Sequence, residues 1–412
     1  MLNRCTRKIL LLVWVGVIAM SSAAWGLPRA EDMDLTYLDT ALETMLAQVN
    51  PSPGDFVQGK DVDLLVDIVR SSTSTTDFQL PDMNGLTSAY YPFSLEISMD
   101  RLLRYGYNPD LPTYLVVPNT VRRGEWTSVN AGANVLPKLW EHLGHLDTPV
   151  VVHGVEHEEI TPDVFSGGYY SYDMDRALIL LAHEGRPVLI SVTRQQDRSA
   201  VGKKGAVVGN DGDWQYLYSG VKGLTKGGLG WVSSYMYESM SVTVFCEVPG
   251  SQGPRIKAGV FKWLRAGWAG INMVRTHHIK EGCKRFATAM TEILESPNLP
   301  PEDRLVRHID MCKRLTPGEL RGLVKPYVDE LKKADDPVVN KSPFKKLLAS
   351  GEYLQNMPKE DMVKVLVQGY LKDILGRDHV VDATACQQIL ARRTDGDHEA
   401  GSPEQGVSPN NS

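Results

Sequence analysis

Apolar residues recur at helical steps in two short stretches near the start of the chain. Leu35, Leu38, Leu42, Met45 and Leu46 share one side of an amphipathic helix predicted over 34–48. A second helical piece covers 62–69 before SSTSTT opens a loop. From Tyr90 onward the signals alternate, with a buried strand predicted at 114–117, a helix at 135–143 and another strand at 149–152.

Two β-hairpins follow. In ALILLAHEGRPVLISV, β-rich runs flank His183-Glu184-Gly185-Arg186, and the glycine supplies the positive φ that a tight turn needs. GAVVGNDGDWQYLY repeats the arrangement around residues 210–213. After the glycine-rich VKGLTKGGLG, residues 239–248 alternate strictly. Met240, Val242, Val244, Cys246 and Val248 take one face, and Ser239, Ser241, Thr243, Phe245 and Glu247 the other. The middle of the chain thus predicts an antiparallel β-meander with one covered face.

Beyond Pro249-Gly250-Ser251 the period changes. Ile256, Val260, Leu264, Gly267, Ile271, Val274, His278, Gly282, Phe286, Met290 and Ile293 recur at steps of three and four, which predicts one long helix or two collinear ones. Shorter helices follow. Thr316-Pro317-Gly318-Glu319 is a capping box with proline at the first helical position, Ser342-Pro343 and Pro358 open two more, and Asp382 caps a last helix reaching about Arg392. The polar tail is expected to be disordered.

The expected architecture is α+β. An antiparallel β-meander with flanking helices spans 27–250, a C-terminal helical domain over 251–393 opens with a long basic amphipathic helix, and the tail occupies 394–412.

Charge and the N-terminus add a location. Arg4, Arg7 and Lys8 precede an apolar run from Ile9 to Met20 and then small residues, the order of a secretory signal peptide over 1–26; retention as an anchor is the alternative. Export to a periplasm or the extracellular space follows, with peripheral membrane association as an option. Removing 1–26 takes the formal charge from −6 to −9, which argues against general nucleic-acid binding. The four remaining cysteines, Cys246, Cys283, Cys312 and Cys386, contain no C-x-x-C pair, so zinc ribbons and redox motifs are unsupported. One or two disulfides or four buried thiols both fit.

Two segments carry candidate chemistry. In VVVHGVEHEE, His153 and His157 lie on one side of an extended chain and Glu156 and Glu158 on the other. The pair of imidazoles suits a divalent metal such as zinc, with Glu156 or Glu158 as base of a metal-dependent hydrolase. The H-E-x-x-H order is absent, and a strand running into an acidic loop explains the same residues. No G-x-S-x-G or G-x-x-x-x-G-K-[ST] occurs; Ser219-Gly220-Val221-Lys222 lacks the companions of an S-x-x-K site, and Gly228-Leu229-Gly230 lacks a third glycine.

The segment 254–286 carries eight basic residues against the single acid Glu281, a local charge of +7. With Lys262, Trp263, Arg265, Trp268 and Arg275 it has the composition of a helix lying on an anionic membrane surface or a protein partner. Pairing of those charges with the acidic remainder of the chain is the alternative. His277 and His278 fit a surface pair and a core position. Tyr169, Tyr170, Tyr172, Tyr235 and Tyr237 form an aromatic strip that packs across strands or lines a pocket for a small ligand. The function expected is therefore a non-catalytic, exported binding protein without a cofactor, acting through the basic segment, with the metal-dependent hydrolase as its rival.

Overall fold

The computed structural model describes residues 35–50, 59–130, 135–162, 167–218, 233–337, 339–340, 342–382 and 384–391. The signal-type segment and the tail lie outside the described residues.

One large antiparallel sheet organises the chain. Its strands are β1 (Thr87–Leu95), β2 (Val121–Val129), β3 (Val150–Ile160), β5 (Ser171–His183), β6 (Arg186–Gln195), β9 (Ser234–Gly250) and β10 (Gly253–Trp268), in the order β1-β10-β9-β6-β5-β3-β2. The short β11 (Ile271–Asn272) folds back on β10, and β4 (Gly168–Tyr169), β7 (Lys203–Val207) and β8 (Tyr216–Tyr218) pair with one another separately. The β5–β6 turn is the one the sequence predicts. Glu184 and Gly185 hold φ of 50° and 72°, and His183 pairs with Arg186.

Helices cover both faces of the sheet. α1 (Leu38–Ala47) and α2 (Lys60–Ser71) bury Leu42, Leu65 and Val66 against Val242, Val244, Phe261 and Trp263. α3 (Met99–Gly106) and the long α4 (Thr276–Leu294) lie on the other side, where the core continues into α5 (Glu302–Lys313), α6 (Pro317–Lys333), α7 (Ser342–Ser350), α8 (Glu352–Gln355) and α9 (Lys359–Ile374). The expected capping box holds. Glu319 N–H donates to Thr316 Oγ1 at 3.3 Å, and Thr316 N–H donates to Glu319 Oε2 at 2.8 Å. Among the described residues no helix is long and apolar enough to cross a membrane.

The expected α+β class is the observed one, but three boundaries differ. Residues 253–268 are not the start of a basic helix: they are β10, paired along its length with β9, so the expected domain boundary at 250/251 falls in a hairpin turn. Helix begins only at Thr276. A step of four is even, so Ile256, Val260 and Leu264 share a strand face as readily as a helix face. Phe261 and Trp263 are buried on the opposite face, which erases the alternation that marks a strand. The strand expected at 114–117 is a 3₁₀ turn at Thr113–Leu115, and the helix expected at 135–143 shrinks to a 3₁₀ turn at Leu139–His142.

The C-terminal helices are pinned to the sheet edge by buried charge. Arg122 pairs with Glu159 at 2.8 Å and with Asp361 of α9, while Arg123 reaches Asp361 at 2.9 Å. Lys364 Nζ donates to the Val121 and Arg122 carbonyls at 3.1 and 3.2 Å. A disulfide joins Cys312 of α5 to Cys386, closing a separation of 74 residues; Cys246 and Cys283 are buried free thiols.

Candidate functional site: a cavity between the sheet and α4

Strand alternation sends Ser239, Ser241, Thr243 and Phe245 of β9 away from α1 and α2 and toward α4. Register then extends this polar set across the sheet, because paired residues of antiparallel strands point to one side. Lys262 of β10 faces Ser241, Ser241 faces Thr193 of β6, and Thr193 faces Arg176 of β5. The next row runs Val260, Thr243, Ser191. Three interstrand spacings separate the two cations, roughly 14 Å.

α4 does not close down onto this floor. His278, Ile279, Gly282, Cys283, Arg285 and Phe286 recur at three- and four-residue steps and form the roof of a cavity of about 340 Å³. Gly282 faces open space, since a Cβ built there meets nothing within 4 Å. The roof is fixed at its far end. Arg285 donates to both oxygens of Asp211 at 2.6 and 2.8 Å and to the Asn119 carbonyl, and Arg101 donates to the Leu294 and Ser296 carbonyls at 2.6 and 2.9 Å. A larger hollow of about 700 Å³ adjoins, also walled by Tyr107, Arg176 and Phe286.

Polar groups of the floor are matched within the protein. Arg176 pairs with Glu156, which is 1% exposed, and its guanidinium lies 5.7 Å from the ring centroids of both Tyr107 and Trp126. Burial works against the Arg176 charge, and the Glu156 carboxylate outweighs it, so its pKa is raised. Tyr172 donates to Glu158, and burial together with the neighbouring Glu156 raises the Glu158 pKa. Thr193 and Ser241 share a 2.7 Å hydrogen bond. Burial pushes the Cys283 thiol up to about 11, which keeps it protonated and unreactive. Lys262 is the exception. Among the described residues its ammonium has one hydrogen-bond partner, Ser239 Oγ at 3.3 Å, and no ion-pair partner.

The opening motif divides as an extended strand requires, with a different consequence from the one expected. VVVHGVEHEE is β3; its Glu156 and Glu158 point into the protein and its histidines do not converge. His153 and His157 are four strand positions apart, about 13 Å. His157 is held by Asp173 at 2.6 Å and Ser171 at 3.0 Å, whereas burial lowers the His153 pKa against a hydrogen bond that its ring donates to the Gln48 backbone. Among the described residues no group of three or more His, Cys, Asp or Glu side chains is placed to hold a metal ion. The metal reading of His153 and His157, with Glu156 or Glu158 as base, therefore has no converging ligand set to rest on.

The expected basic patch is dispersed. Lys262 faces the cavity, but Trp263 is fully buried on the opposite face and donates from Nε1 to the Pro81 carbonyl at 2.9 Å. Arg265 lies 3.9 Å from Glu238 and over the Tyr237 ring. Trp268 is 36% exposed at the end of β10, and Arg275 is exposed at the start of α4. Other basic residues of the segment pair internally, Arg255 with Glu96, Lys280 with Asp77 and Arg285 with Asp211. Of the five tyrosines, Tyr172 lines the cavity; the rings of Tyr235 and Tyr237 lie tilted at 35° to each other with centroids 6.0 Å apart.

Arg176, Ser191 and Thr193 are cavity residues that sequence reasoning passed over. For Ser191 and Thr193 the signal is their alternation with Ile190 and Val192 after a run, 188–190, that is apolar on both sides.

No family model matches the chain, and no curated protein matches it. Among solved structures, it is similar to the crystal structure of Ara h 8.0201, with 9% identity over 51% of this chain and 99% of that one and a TM-score of 0.20.

Proposed function

We propose that the protein is a non-catalytic binding protein that holds a small amphipathic molecule between its sheet and α4. The observation that carries this reading is the cavity itself. A floor of hydroxyl and charged groups faces a roof bearing Ile279, Cys283 and Phe286, the division a molecule with one polar and one apolar side requires. Thr193 is paired with Ser241, Glu158 with Tyr172, and the one thiol is held protonated, an arrangement suited to recognition rather than to activating a nucleophile. The Cys312–Cys386 disulfide favours an oxidising compartment and supports the exported location.

The test uses the neutral fluorophore N-phenyl-naphthylamine. Its emission is expected to rise on binding to the wild-type protein and to fail to rise with Gly282→Trp, whose indole fills the open space over the floor. Absence of binding to the wild type, or equal binding to the variant, refutes the proposal.

A second reading rests on a separate observation. Trp268, Ile271 and Met273 are 36%, 53% and 51% exposed around the β10–β11 turn, with the exposed Arg275 following them. Aromatic and aliphatic side chains beside a cation suit the surface of an anionic membrane. Co-sedimentation with anionic vesicles should be lost when all three apolar residues become serine; retention of binding refutes it.

A further inference from the structure

Resting on the cavity reading, we infer that the bound molecule is a monoanionic amphiphile, a carboxylate with an apolar body, and that Lys262 receives its carboxylate. The argument starts from what each cation in the cavity already touches. Arg176 is neutralised by Glu156, donates to Ser191 at 3.2 Å and lies against two aromatic rings. Arg285 is neutralised by Asp211. Lys262 has three donors and, among the described residues, only the Ser239 hydroxyl at 3.3 Å.

Glu158 is a carboxyl that feels the Lys262 charge, and it is already engaged. It accepts from Tyr172, and burial beside Glu156 favours its neutral form. An ammonium half-buried beneath a helix with so little compensation gains from an incoming anion.

Position fixes the rest of the ligand. Lys262 lies in the β10 row whose neighbours on the same face are Val260 and Leu264, and Ile279 and Cys283 of α4 stand over that strand. A carboxylate at Lys262 therefore continues into an apolar body lying against these four side chains. The hydrogen-bonded hydroxyl pair of Ser241 and Thr193 remains beside it, with one O–H left to donate to a second, neutral oxygen of the ligand.

Competition of decanoate and decanol against bound N-phenyl-naphthylamine tests the assignment, since the two share a chain and differ in headgroup charge. The wild-type protein is expected to prefer decanoate by roughly tenfold to a hundredfold, the range of one charge-assisted hydrogen bond. Lys262→Met should remove the preference while retaining decanol, and Lys262→Arg should keep it. Equal displacement by both in the wild type, with fluorophore still bound and still sensitive to Gly282→Trp, overturns the anionic assignment and leaves the cavity reading standing. A preference that survives in Lys262→Met also overturns it. Should Lys262→Met not fold, Lys262→Gln and the wild-type headgroup preference decide the same point. Failure of the fluorophore to bind the wild type sinks the cavity reading and this inference together.

Discussion

The buried pair Arg176–Glu156 offers a quantitative check on how the cavity floor is built. Glu156 is 1% exposed, so its carboxylate has lost its hydration and depends on the guanidinium that pairs with it. Arg176→Met removes the charge and keeps much of the side-chain volume between Tyr107 and Trp126. An uncompensated buried charge costs about 3–5 kcal/mol. Glu156→Gln should cost less. The remaining guanidinium keeps Ser191 and two ring faces, and guanidinium is weakly hydrated to begin with. The double variant has no buried charge at this point and should lie within about 1 kcal/mol of wild type, because exchanging a whole buried pair for neutral groups is nearly neutral. Urea unfolding of the four proteins at pH 7, followed by circular dichroism, reads the cycle through its midpoints at constant slope. The expected coupling is several kcal/mol. If the double variant is as unstable as the two singles added together, the residues act independently and the pairing does not account for the burial of Glu156.

Four further outcomes follow from the geometry. Reducing the Cys312–Cys386 disulfide, or replacing both cysteines with serine, should lower stability by about 4 kcal/mol through the freed loop of 74 residues, read as a shift in urea midpoint; no shift would place that constraint elsewhere. His308 is 6% exposed, stacked on Tyr370 at 3.9 Å, and burial lowers its pKa to about 4. Its neutral form is favoured in the fold, so stability should be fully present above pH 6.5 and fall progressively by roughly 3 kcal/mol as pH drops to about 4, a slope that His308→Phe should flatten. Gly282→Ala, in contrast to Gly282→Trp, should raise the melting temperature, because a methyl group in open space costs nothing and alanine favours helix by about 1 kcal/mol. Thr316→Ala should cost about 1 kcal/mol through loss of the cap at the start of α6.

Much of the fold is legible along the chain where one face differs from the other. α1, α2, the β5–β6 hairpin and β9 are each expected from periodicity, and the punctuation of α6, α7 and α9 is expected from Thr316, Pro343 and Pro358. β10 is misread because it is buried on both faces. Its apolar residues carry no alternation, and their spacing by fours fits either period. The strand also passes close to its neighbours at Gly259, where a Cβ would lie 2.5 Å from Val69 Cγ2 and 2.9 Å from the Tyr90 hydroxyl.

The same reasoning explains why the site is harder to read than the fold. In a sheet with one face in water, serine and threonine alternating with valine mark the wet face, and Ser239, Ser241 and Thr243 invite that reading. Here both faces are covered, so the alternation separates a core packed by α1 and α2 from a chamber roofed by α4. Single-strand patterning cannot distinguish water from a chamber, because both reward the same hydroxyls. What distinguishes them is the fate of the charges in the same rows. A charged side chain on a wet face needs no partner, whereas Arg176 has Glu156, Glu158 has Tyr172, and Lys262 has one long hydrogen bond. Two of the three are matched within the protein, and the third sets the polarity of what the chamber takes.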